Sequence, residues 1–120
     1  MHVLLGLGPG DLWNRALEET VTRAREAGDD LTVAVFGEQS EREEITERAR
    51  ERLRESDFAV DVRQIEAERP GSALVDLAEQ EQYDRLVIPG GQRSPLGKIQ
   101  FDDVTEFVLL NAATTVTLVR

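Results

Sequence analysis

Hydrophobic positions along this chain switch repeatedly between two spacings, and the switching predicts the architecture. Val3, Leu4, Leu5 and Leu7 form a short apolar run broken by Gly6, Gly8, Pro9 and Gly10. Trp13, Ala16, Leu17, Thr20, Val21 and Ala24 then recur every three or four residues, the buried stripe of a helix, with Asp11 placed to cap its start and Gly28 to stop it. Leu31 to Phe36 is a second strand, ending at Gly37. Ser40 with Glu43 gives a capping-box pattern that opens a charged helix running to about Glu55. Its apolar stripe is only Ile45, Ala49 and Leu53, and Arg42, Arg48, Arg50, Arg52 and Arg54 read as a solvated face laced with i,i+4 pairs.

Phe58, Val60, Val62 and Ile65 approach strict alternation, which predicts a third strand near an edge with one face less covered than the others. Pro70-Gly71-Ser72 starts a helix packed through Ala73, Leu74, Leu77 and Ala78 and ending near Gln82. Leu86, Val87 and Ile88 form a buried strand that ends in Pro89-Gly90-Gly91, followed by a polar loop, a helix from about Asp103 to Ala112, and a last strand from Thr115 to Val119. Strand and helix alternate five strands deep, so the fold class is α/β: one open parallel sheet with helices on both faces. No linker, repeat or low-complexity stretch divides the chain, and 120 residues suit one domain over 1–120.

Composition narrows the function. The chain has no cysteine, which excludes disulfides, thiolate metal sites and cysteine nucleophiles. The one histidine, His2, sits at the chain start and reads as a surface residue. No apolar run approaches the ~20 residues that span a bilayer, and no basic segment precedes an apolar one, so a cytoplasmic protein away from membranes is expected. Twenty-four acidic against fourteen basic residues give a net charge of -10, which argues against a nucleic-acid partner. Lys98 is the only lysine. An acidic surface nearly free of lysine suggests a halophilic source, the alternative being an ordinary acidic bacterial protein from a GC-rich genome.

Candidate chemistry concentrates where strands end at glycines. Gly6-Leu7-Gly8-Pro9-Gly10 stands at a strand-to-helix turn, but the third glycine of a dinucleotide fingerprint would fall on Asp11, and a tight turn accounts for the glycines. Gly97-Lys98 lacks both the upstream glycine and the following hydroxyl of a phosphate loop, since Gln92 and Ile99 stand there. Arg93 and Lys98 still bring two positive charges to the loop after the fourth strand. Ser94 has no base spaced to activate it, so no catalytic set can be assembled. Asp102 and Asp103 are adjacent carboxylates; Asp103 with Glu106 fits a capping box better than a metal site.

Order and spacing together resemble the universal stress protein family over nearly the whole chain. The similar stretches are Val3-Leu4-Leu5-Gly6-Leu7, Arg15-Ala16-Leu17-Glu18, Ala24-Arg25-Glu26-Ala27-Gly28, Leu31-Thr32-Val33, Asp84-Arg85-Leu86-Val87-Ile88, Val104 to Ala112, and Val116-Thr117-Leu118-Val119. The resemblance implies a Rossmann-like five-stranded parallel sheet in the order 3-2-1-4-5, homodimers that pair through the last strand, and in many members ATP at the carboxyl edge. The ATP-binding members carry Gly-x-x-Gly, nine residues, then Gly-Ser or Gly-Thr. Gly90 matches the first glycine, Arg93 stands at the second, and Asp102 and Asp103 stand at the Gly-Ser pair. The aspartate that ends the family's first strand falls on Gly8.

These replacements have a physical sense. Side chains in place of glycine keep backbone amides away from phosphate oxygens, and carboxylates at a helix start occupy its amides and oppose its dipole. The expectation is a non-enzymatic stress-response domain with no cofactor, pairing through Thr115, Val116, Thr117, Leu118 and Val119, with a degenerate nucleotide site at Gly8, Gly90, Gly91, Arg93, Ser94, Lys98, Asp102 and Asp103. The alternative is a regulator that binds AMP, ADP, ATP or another anion through the altered loop at Gly90–Lys98. An enzyme of the wider superfamily has least support: one histidine cannot supply a His-x-Gly-His element, and no Ser-Gly-Gly-x-Asp-Ser loop follows the first strand.

Overall fold

The computed structural model describes residues 1–90, 92, 93, 96 and 99–120, the side chains of residues 92, 93, 99 and 100 excepted. The elements run β1 (His2–Leu7), α1 (Trp13–Ala27), β2 (Asp30–Val35), α2 (Gln39–Ser56), β3 (Asp61–Gln64), α3 (Pro70–Gln80), β4 (Arg85–Pro89), β5 (Gln92–Arg93), β6 (Ile99–Gln100), α4 (Asp103–Asn111) and β7 (Thr115–Val119). Five of the strands form one parallel sheet in the order β3-β2-β1-β4-β7, as the alternation and the resemblance imply. β5 and β6 pair antiparallel as a small hairpin after β4.

The pleat sends side chains of each strand to opposite faces, and each face has its own core. Val3, Leu5 and Leu7 of β1 and Leu31, Val33 and Val35 of β2 pack with Trp13, Ala16, Leu17, Val21 and Ala24 of α1 and Ile45, Ala49 and Leu53 of α2. Leu4, Leu86 and Ile88 point the other way, to Leu74, Val75 and Ala78 of α3 and Val108 of α4. Leu4, Leu5, Leu7 and Leu86 have no exposed surface, and full burial of such a side chain is worth about 1.5–3 kcal/mol over exposure.

Several local expectations need correcting. α1 starts one residue later than an Asp11 cap would allow: its cap position is Leu12, with no side-chain bond to the first turn. α2 starts after Glu38, so Ser40 lies inside the helix and its capping box does not form. Arg42 is not part of the solvated face but is buried, its Nε donating to Gln64 Oε1 at 3.0 Å and its Nη1 to the Gly37 carbonyl at 3.0 Å. β3 is shorter than the alternating stretch, because Phe58 and Val60 pack against the core before the ladder begins at Asp61. Gly28 does end α1, in the left-handed conformation at φ 73°. Among the described residues, no helix is long and apolar enough to cross a membrane.

Candidate functional site

In an open parallel sheet, ligands lie outside the carboxyl ends of the strands at the point where the strand order reverses. Here that point falls between β1 and β4, where the loop Gly8–Leu12 faces Pro89, Gly90, Phe101 and Asp102 across a cleft of about 350 Å3 whose wall also includes Trp13. Of the residues singled out from sequence, Gly8, Gly90 and Asp102 come together in this cleft. Asp103 is adjacent but not among its lining residues. Gly91, Ser94 and Lys98 lie outside the described residues, as does the side chain of Arg93.

Two amides at the cleft are committed within the protein. The Gly90 amide donates to the Val119 carbonyl at 3.0 Å, extending the β4–β7 ladder. A Cβ on Gly90 would meet Leu118 Cδ2 at 2.9 Å and Thr105 Cγ2 at 3.1 Å, so packing alone favours glycine there. The Thr105 amide, in the first turn of α4, donates to Asp102 Oδ1 at 2.7 Å, and the Thr105 hydroxyl donates to the Pro89 carbonyl at 3.4 Å. Asp102, not Asp103, is therefore the cap; Asp103 and Glu106 follow in the first turn and add negative charge at the positive end of the helix dipole. Counted strictly, the family's Gly-Ser spacing falls one residue later, on Asp103 and Val104, which again supplies neither a glycine nor a hydroxyl.

The other wall has a simpler cause. Gly10 takes φ 129°, a conformation that only glycine adopts readily, and turns the chain from β1 into α1. Gly8 is glycine for want of space: a Cβ there would lie 2.2 Å from Phe36 Cε2 and 2.5 Å from Cζ. Phe36 follows β2 directly, and its amide donates to the Leu7 carbonyl at 2.9 Å. Periodicity placed Phe36 only as the end of a strand. The missing signal was register: Leu7 pairs with Val35, so the next residues along, Gly8 and Phe36, are neighbours at the carboxyl edge.

A wider surface groove of about 810 Å3 runs between α1 and α2, lined by Glu18, Arg25, Arg48, Glu51 and Arg52 among others. It runs from the middle of α1 to the ends of both helices, and an Arg52–Glu18 ion pair bridges it. With charges of both signs and no convergent polar set, it has less claim to be a site. Among the described residues, no three metal-ligating side chains come together.

Comparison with known proteins agrees with the architecture. The sequence profile of the universal stress protein family matches residues 18–120. A universal stress protein from Archaeoglobus fulgidus superposes with a TM-score of 0.81 at 23% identity, covering 100% of this chain and 98% of that one. The universal stress protein from Archaeoglobus fulgidus in complex with dAMP gives 0.77 at 19% identity, over 100% and 98% of the two chains. A universal stress protein in complex with cAMP gives 0.75 at 20% identity, over 99% and 96%. No curated protein matches the chain by sequence.

Proposed function

From the premise that this chain belongs to the universal stress protein family, we propose that it is a non-enzymatic stress-response domain that acts through homodimerisation and protein partners, without holding ATP in the family's usual mode. The observation that carries this reading is the commitment of two amides at the cleft: Gly90 N–H is bonded to Val119 and Thr105 N–H to Asp102. A triphosphate seated at the start of α4 would have to displace a carboxylate from the amide it caps and tolerate Asp103 and Glu106 beside it. The acidic, lysine-poor surface supports a halophilic source. In molar salt the Debye length is ~3 Å, which weakens distant repulsion but leaves capped amides capped.

The dimer reading rests on β7. Strand residues turn both backbone groups to one side, alternating along the chain. Since the Val119 carbonyl faces β4, Val116 and Leu118 direct their N–H and C=O outward at the sheet edge, a template for a second strand. Titration calorimetry with ATP, ADP, AMP and cyclic AMP in high KCl tests the first part: ATP should give no binding heat, and submillimolar ATP binding refutes it. Sedimentation in the same buffer should give a dimer.

A second reading, a nucleotide-responsive regulator, draws on the cleft between β1 and β4 and on the dAMP and cAMP complexes of structurally similar proteins. Arg93 and Lys98 would then take over from backbone amides as phosphate ligands, favouring a monophosphate. The same titrations separate the readings: AMP or cyclic AMP binding that is lost in an Arg93→Ala, Lys98→Ala double variant supports the second.

A further inference from the structure

The committed amides lie at one side of the cleft; its other half lies against Gly8 and Pro9, beside Phe36. Resting on the reading above, we propose that Phe36 is the specificity-determining residue of that half: its ring occupies the space a flat heterocycle would take, and it excludes nucleosides independently of the acidic residues near the phosphate side.

Four observations carry this. The ring lies against Gly8 so closely that not even a Cβ fits between them. Beyond the ring only a void of about 30 Å3 remains, bounded by Gly6, Gly8, Ile88, Pro89, Asp102 and Thr105, room for a water molecule but not for a base. This void and the open cleft share Gly8, Pro9, Pro89 and Asp102 in their walls, so the ring borders the inner side of the cleft. Finally, the backbone beneath the ring is fixed. The Phe36 amide is bonded to Leu7, the Gly37 carbonyl accepts from buried Arg42, and Gly37 at φ 126° lies so close to Pro9 that a Cβ would stand 2.9 Å from its ring carbons.

Truncating Phe36 to alanine should open a phenyl-sized apolar space, close in kind to the ~150 Å3 cavities that stay dry and accept an aromatic ring. The test uses adenine and adenosine, which carry no phosphate. In calorimetry at high KCl, the wild-type protein should bind neither, and Phe36→Ala should bind adenosine at least ~tenfold more tightly than the wild type, with a Kd below ~1 mM. A folded Phe36→Ala variant that ignores adenosine overturns the proposal while leaving the phosphate argument intact. Wild-type binding of adenosine also overturns it, whereas wild-type binding of ATP refutes the proposed function instead.

If Phe36→Ala does not fold, Phe36→Val takes its place, joined to a double-mutant cycle with Gly8→Ala. Gly8→Ala should lower Tm by several degrees in the wild type and by much less in the Phe36→Val background. Equal losses in both backgrounds mean that the ring does not fill the space beside Gly8, and the proposal falls.

Discussion

The two edges of the sheet are built on opposite principles. β3 is four residues long, Asp-Val-Arg-Gln, and arginines of its own chain engage its outward side. Ile65 N–H bonds inward to the Val35 carbonyl, so Val62 directs its carbonyl outward, where Arg50 Nη2 donates to it at 3.4 Å. Gln64 is held by Arg42, and Arg63 bridges Asp61 at 3.0 Å and Glu81 at 2.8 Å. β7 is five residues of threonine and aliphatics with no charge. Among the described residues, no hydrogen bond reaches the outward groups of Val116 and Leu118. Beside it, α4 exposes Leu109 at 39% and Leu110 at 75%. One edge is guarded by arginines and the other is left open, an asymmetry expected only if the open edge has a use, since unguarded edges pair with other chains.

The largest effect that would break this comparison is at β7. Val116→Pro or Leu118→Pro removes an outward N–H without touching the inward bonds to β4, so the fold should survive and the dimer should not. A lost pairing worth ~3 kcal/mol raises the dissociation constant ~100-fold. Sedimentation in high KCl, with circular dichroism as the check on folding, should show monomer; a stable dimer in either variant removes the edge-strand interface. Because each copy carries a charge of -10, the proposed dimer should also tighten as KCl rises, since screening relieves repulsion between copies and leaves the uncharged strand contact unchanged.

Next in size is the seal on the other side. Arg42 is 8% exposed and joins α2 to both the Gly37 carbonyl and Gln64. Arg42→Ala leaves these acceptors short of a buried partner and should cost about 2–3 kcal/mol in urea denaturation with little change in slope. Its oligomeric state should stay that of the wild type. A shift toward monomer would mean that the two edges are coupled, and the contrast between them would fail.

What was legible beforehand divides along the same physical line. Leu4, Leu5, Val33 and Leu86 are apolar because they are buried, so the strands, and the helices between them, can be read from spacing. Gly28 could be read as a helix stop because a left-handed residue there favours glycine. Helix starts were less legible: Asp11, the Ser40–Glu43 pair and Asp103 each had the right chemistry for a cap, but where a helix begins depends on how the chain leaves the preceding strand. Arg42 looked like its neighbours on a charged helix, and only tertiary packing distinguishes the arginine that turns inward. Phe36 was missed for a related reason, since the fate of a residue at a strand end is set by the neighbouring strand's register. The cleft position was legible from topology; which side chains line and border it was not.

The smallest effect expected is at Arg63, and it asks what kind of force seals β3. Hydrogen bonding to Glu81, and next to Asp61, raises the Arg63 pKa above its usual value. A raised pKa means that the stabilisation is complete below the unfolded-state pKa and is lost only as pH climbs through the folded one. Both lie far above neutral pH for an arginine, so Arg63 deprotonation should have no effect on stability between pH 7 and 10. The side chain is 42% exposed, so solvent screens the pair and Arg63→Ala should cost no more than about 0.5–1 kcal/mol at low salt. At 1 M KCl that cost should fall close to zero. A loss that persisted undiminished at high salt would mean that Arg63 works by packing its stem along the edge, and the β3 seal would then be steric rather than electrostatic.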